Sequence, residues 1–108
     1  MNEKKEKIRW ADYLISAVRY ESGTDNRIIK YLKVHSDEIR FVGEGRTWSK
    51  TELLDALRNG KSIATIKKDK EGKWTKCHNV SLASYNESFI HSDFKNIPGD
   101  YLENISEF

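Results

Sequence analysis

Only one stretch of this 108-residue chain combines a helical period with the signals that start and stop a helix, and it is short. Ser49 and Glu52 have the Ser-x-x-Glu spacing of a capping box, in which a hydroxyl and a carboxylate reciprocally satisfy backbone N–H groups. Trp48 before the cap and Leu53 at the fourth helical position have the spacing of a hydrophobic staple, and Leu53, Leu54 and Leu57 form one apolar stripe. Asn59-Gly60 supplies the stop. These signals predict a single helix over residues 50–59. The other apolar residues must then be buried by strands.

Residues 11–20 place Tyr13, Ile15 and Ala17 on one parity and Leu14, Val18 and Tyr20 on the other, the pattern of a strand covered on both faces. Turn-formers at residues 21–26 lead to a β-branched and aromatic run at 27–34, completing an antiparallel hairpin. A short edge strand is expected at 39–42, before Gly43-Glu44-Gly45 breaks the pattern. Residues 62–67 alternate, with Ile63 and Thr65 opposed to Ala64 and Ile66. Asp69-Lys70-Glu71-Gly72 turns, and 73–82 returns as the second arm of a hairpin, interrupted near Cys77-His78-Asn79. Tyr85-Asn86-Glu87 turns into a last strand at 88–92. Beyond about residue 93 the single proline, Pro98, and scattered Ile97, Tyr101, Leu102, Ile105 and Phe108 predict an irregular docked tail. Residues 1–10 read as a charged leader with Ile8 as its apolar anchor, expected to fray or to form a short helical turn.

The expectation is one α+β domain over 11–108. Its helix packs on a twisted, mainly antiparallel sheet of five or six strands. Charged residues make up 33%, but twelve aromatics and ten isoleucines exclude a disordered tail. No apolar run approaches the roughly 18 residues of a membrane span. A single cysteine, Cys77, excludes an internal disulfide, and the mixed-charge start is unlike a signal peptide; both favour a cytoplasmic setting.

Several phrases, taken in order, resemble the domain of unknown function 3892 family of small bacterial and phage proteins. They are Ala11-Asp12-Tyr13-Leu14-Ile15-Ser16-Ala17-Val18-Arg19-Tyr20, Trp48-Ser49-Lys50 before the helix, Gly60-Lys61-Ser62, and Gly72-Lys73-Trp74. The ending also fits, from Phe89-Ile90-His91-Ser92 through Asn96 and Tyr101-Leu102-Glu103-Asn104-Ile105 to Glu107-Phe108. The chain departs from the pattern where Ile105-Ser106-Glu107 stands in place of Leu-Pro-Glu, and over 93–100. The resemblance covers roughly residues 11–108 and implies a compact α+β module in a bacterial, plasmid or phage setting. It implies no activity.

Catalytic chemistry finds little support in the residues. Cys77, His78, His35 and His91 lack the spacing of a zinc site, and nothing local would lower the Cys77 pKa. Ser16, Ser22 and Ser49 lie in no nucleophile elbow, and Gly43-x-Gly45 lacks the third glycine of a dinucleotide fingerprint. Asp37-Glu38 and Asp69 with Glu71 read as solvated turn residues. No catalytic residue, metal ligand or cofactor is predicted. The expected function is that of a small non-catalytic binding module.

Charge is distributed unevenly. Residues 46–76 carry nine basic and four acidic groups, whereas 77–108 carry one and five. A two-signed surface suits docking on a protein partner or on a second copy, with anchors among Tyr20, Tyr31, Phe41, Tyr85, Phe89 and Tyr101. The alternative is nucleic acid, bound through Lys67, Lys68, Lys70, Lys73, Trp74 and Lys76 of the 67–76 hairpin, with Arg46, Lys50, Arg58 and Lys61 near in sequence. Lysines there would neutralise phosphates while an exposed Trp74 stacked on a base. The competing structural explanation is that the lysines protect a sheet edge while Trp74 packs in the core.

Overall fold

The computed structural model describes residues 3–22, 27–82, 89–92, 99–102 and 105–108. The described residues form β1 (Tyr13–Tyr20), β2 (Ile29–Ser36), β3 (Arg46–Ser49), α1 (Lys50–Arg58), β4 (Ile63–Lys68), β5 (Trp74–Leu82), β6 (Ile90–His91) and β7 (Ser106–Glu107). In the sheet the order is β3-β2-β1-β4-β5-β6, and β7 joins beside β1. The α+β class with one helix is as expected. The sheet is mixed, because β1 is parallel to β4 at Tyr13, Leu14 and Ile15 and then parallel to β7 at Ala17 and Val18. β3 and β4 run in the same direction, so the link between them must cross a sheet face, and α1 forms that crossover.

Of three register shifts in the sheet, two decide which side chains share a face in β1 and β5. Ile15 lies opposite Val34 and Ala17 opposite Lys33, leaving Ser16 as the extra residue of β1. The parity therefore flips, and Tyr13, Ile15, Val18 and Tyr20 all belong to the helix-side cluster, correcting the split expected from simple alternation. In β5 the register slips between Asn79, opposite Ala64, and Lys76, opposite Ile66, so Cys77 and His78 together face Thr65. This bulge is the interruption expected near 77–79. The buried Thr65 hydroxyl accepts from the His78 N–H at 3.1 Å, satisfying a group the ladder leaves unpaired.

The helix-side cluster contains Ile15, Val18, Ile29, Leu32, Val34, Leu53, Ile63, Val80, Ile90 and Leu102. Both halves of the capping box form, with Ser49 N–H donating to Glu52 Oε1 at 3.2 Å and Glu52 N–H to Ser49 Oγ at 3.3 Å. At the other end Gly60 takes φ +81°, while Gly60 N–H bonds Leu57 C=O and Lys61 N–H bonds Ala56 C=O. This is a Schellman closure. Leu53 is fully buried, worth roughly 2 kcal/mol by transfer arithmetic.

The tail is more regular than expected. Buried Asp100 accepts from Ile29 N–H at 2.7 Å and Ile90 N–H at 2.8 Å, and pairs with Lys50 at 2.8 Å, joining β2, β6 and α1. Leu102 enters the core, whereas Ser106–Glu107 is a strand and Phe108, 39% exposed, rests its ring beside Arg19 and Lys33 on the sheet surface. The expected turn at 85–87, Ser88, Ile97 and Pro98 lie outside the described residues.

On the other side of the sheet, segments with little regular structure close a circuit. Glu3 bridges Phe41, Lys4 bridges Trp74, and Asp37 bridges Val42, so the chain passes from β2 through 37–42 and 3–5 to β5. Inside lie Ala11, Leu14, Val42, Ala64 and Ile66, with Trp10 and Trp74 packed against them. This corrects three expectations. The start of the chain is a strap with Lys4 only 1% exposed, not a frayed leader. Residues 39–42 form bridges to the strap, while the edge strand is β3. Asp37 is buried, because its carboxylate pairs with Lys4 at 2.8 Å and accepts from Trp10, Ala11 and Ile39 N–H groups.

Candidate binding face

None of β1 to β5 contains an acidic residue. Among the described residues the acidic side chains lie in turns and loops, in α1, in the first residues of the chain and, as Glu107, in β7. Partners in register share a face, so the pairs Ala17 with Lys33, Arg19 with Tyr31, Lys33 with Thr47, and Tyr31 with Ser49 all lie on the face away from the helix. β7 brings Ser106 beside Ala17, and Phe108 follows onto the same face, where its ring lies 5.1 Å from the Arg19 guanidinium carbon and 5.5 Å from Lys33 Nζ. Arg19 Nε also donates to the Phe108 carbonyl at 2.6 Å. Glu107, one residue away, alternates to the other face alongside Val18.

The result is an open patch of two cations and two rings, Arg19, Lys33, Tyr31 and Phe108. Tyr31 and Phe108 are each 39% exposed, a conspicuous exposure for large rings on a sheet face. Gly45 lets the neighbouring loop come close, since a Cβ there would stand 2.8 Å from His35 Cε1 and 2.9 Å from Lys33 Cδ. His35 fixes the bulge from below. Its Nδ1 lies 2.8 Å from the Gly43 carbonyl and must donate there, so its neutral Nε2 accepts from Ser16 Oγ at 2.7 Å. Burial lowers the His35 pKa from 6.5 and so favours that neutral form.

The hairpin residues singled out from the sequence divide between several surroundings. Lys68 and Lys76 are exposed and share the open patch's face, through the pairs Lys68 with Trp74 and Ile66 with Lys76. Lys67 pairs with Thr75 and points to the helix side, and Lys70 lies in the turn. Lys73, half-buried, is held by its N–H to the Asp69 carboxylate at 3.0 Å. Trp74 is half-buried rather than presented to solvent, with Nε1 buried and unpartnered among the described residues. Its backbone bonds Glu3 and Lys5 of the strap, which hold it against the second core. The stacking role assigned to Trp74 therefore lacks the required exposure, whereas Tyr31 and Phe108 have it.

A second feature lies at the sheet's end. Among the described residues nothing pairs with the outer side of β3, and a cleft of about 390 Å³ opens beside it, lined by Tyr13, Val34, Ser36, Glu44, Arg46 and Trp48. Tyr13 and Trp48 meet edge to face at 4.8 Å. Burial raises the Cys77 pKa, leaving it a poor nucleophile, and no three His, Cys, Asp or Glu groups converge among the described residues. No helix there is long and apolar enough to cross a membrane. No family model, curated protein or solved structure matches the chain.

Sequence reasoning recognised Tyr31 as an anchor but missed Arg19, Lys33 and Phe108. The available signal was the lack of acidic residues in every long strand. What it could not supply was the Ser16 bulge, which places Arg19 on the same face as Lys33.

Proposed function

We propose that the protein is a small, cytoplasmic, non-catalytic module that holds an anionic macromolecule against its open sheet face. The observation that carries this reading is the clustering of Arg19 and Lys33 on a face whose strands contribute no acidic side chain. Coulomb attraction steers an anion toward such a patch even when net charge is near balance, as the formal +2 is here. Membership of the domain of unknown function 3892 family would add a bacterial or phage setting to this reading, and no chemistry.

The test is binding of fluorescein-labelled heparin at low salt, read by anisotropy. The double variant Arg19→Glu with Lys33→Glu should lose most of the affinity, while Lys7→Glu with Lys61→Glu, an equal charge change elsewhere, should keep most of it. Equal losses in the two variants would reduce the interaction to overall charge and remove the site.

The free edge of β3 supports a second reading, a protein partner that adds a strand there and sets one side chain in the adjoining cleft. Replacing Thr47 by proline should abolish capture of such a partner without affecting heparin.

A further inference from the structure

We infer that the anion is single-stranded nucleic acid, with Tyr31 and Phe108 as stacking platforms and Arg19 and Lys33 as phosphate contacts. This rests on the anionic reading of the face and adds to it the use of the two rings. A polyanion without π-systems would engage the cations and gain no base stacking on the rings. A single strand engages both kinds of group, because every base has a π-face and every linkage a charge. The cross-strand pair Arg19 with Tyr31, and the placement of Arg19 and Lys33 around Phe108, interleave cation and ring at the spacing of neighbouring strands.

Width argues against a duplex. At the open end the order is β3-β2-β1-β7, and three strand spacings span roughly 14 Å. The major groove of B-DNA is about 12 Å wide and admits a helix or a two-stranded ribbon. A four-strand face cannot enter it, and a duplex resting on the face would keep its bases out of reach of Tyr31 and Phe108. Unpaired bases can instead be splayed onto the sheet, as aromatic-bearing sheets permit. Trp74, beneath the strap, takes no part.

The experiment titrates the full chain with labelled twelve-nucleotide dT and U strands, a twelve-base-pair duplex, and heparin, at 50 and 200 mM salt. Both single strands should bind at least tenfold more tightly than the duplex. With two phosphate contacts the single-strand affinity should fall roughly sevenfold between the two salt concentrations. Tyr31→Ala and Phe108→Ala should each weaken single-strand binding roughly tenfold while leaving heparin binding unchanged. Arg19→Ala and Lys33→Ala should weaken both. Near-UV circular dichroism of each variant separates lost binding from lost folding.

If the duplex binds as well as the single strands, or if the ring variants bind single strands like the parent, the nucleic-acid inference is overturned while the anionic reading survives. If neither heparin nor any oligonucleotide binds at 50 mM salt, both are overturned.

Discussion

The sheet face away from the helix has two halves of the same strands and opposite fates. In one half Leu14, His35, Ala64, Ile66 and Trp74 are covered by the strap and by residues 37–42. In the other half Arg19, Tyr31 and Phe108 are exposed, with Lys33 half-buried beside them. Both halves are extended strand, but the closed one is the more apolar, with Leu14, Ala64 and Ile66, and the open one the more basic, with Arg19 and Lys33. What separates them is a buried ion pair. Lys4 and Asp37 both have fully buried side chains, and the Asp37 carboxylate also accepts three backbone N–H bonds that gather the strap and the 37–39 turn. Ile39 sits at φ +70° in that turn, a strained position for a β-branched residue, held by its N–H to Asp37. Coverage by polar clips closes one half, and among the described residues no such clip spans the other.

Breaking the clip should have the largest effect. Asp37→Asn leaves the Lys4 ammonium buried without its counter-ion and should cost about 3 to 5 kcal/mol in urea unfolding. Lys4→Met should cost less, because Asp37 keeps its backbone donors. An unchanged unfolding midpoint for Asp37→Asn would mean that the strap does not contribute to stability.

Leu14→Ala, in the closed half, should destabilise by about 2 to 4 kcal/mol through the cavity it leaves. Acidification should produce a smaller, two-stage loss. Burial holds the His35 pKa below 6.5, so below that pH the unfolded chain binds a proton that the folded chain resists. Stability should fall as pH drops through 6.5 and level off below the folded-state value. Burial works to raise the Asp37 pKa, but Lys4 and the backbone donors outweigh it and hold the carboxyl below 3.8. Its contribution is therefore present above pH 3.8 and lost below it. Urea midpoints between pH 8 and 3 should show both stages, with His35→Gln removing the upper one alone.

The smallest effect sharpens the comparison from the open side. Tyr31→Ala and Arg19→Ala should change stability by less than about 1 kcal/mol, because exposed rings and cation–π pairs contribute little to folding. A larger loss in thermal unfolding would make the patch structural and weaken its assignment as a binding face.

Much of this architecture is written locally. The α1 caps, the hairpin of β1 with β2, the turn at 69–72 and the bulge at Cys77 and His78 each follow from residues close together in the chain, because their hydrogen bonds are short-range. The open patch was only partly legible. Tyr31 stood out as an aromatic and the strands as acid-free, but Arg19 reached the face through a one-residue bulge, and Phe108 reached it through a strand that the tail's composition did not announce. The strap was invisible. A lysine four residues into a charged segment reads as solvated, and its burial depends on an aspartate thirty-three positions away. The sequence by itself determined α1 and its caps, the two hairpins, the turn at 69–72 and the sign of the charge on the long strands. Tertiary structure decided which half of the sheet face is closed and which is open, because that choice rests on long-range pairing of polar groups whose desolvation becomes tolerable only once all of their partners are assembled.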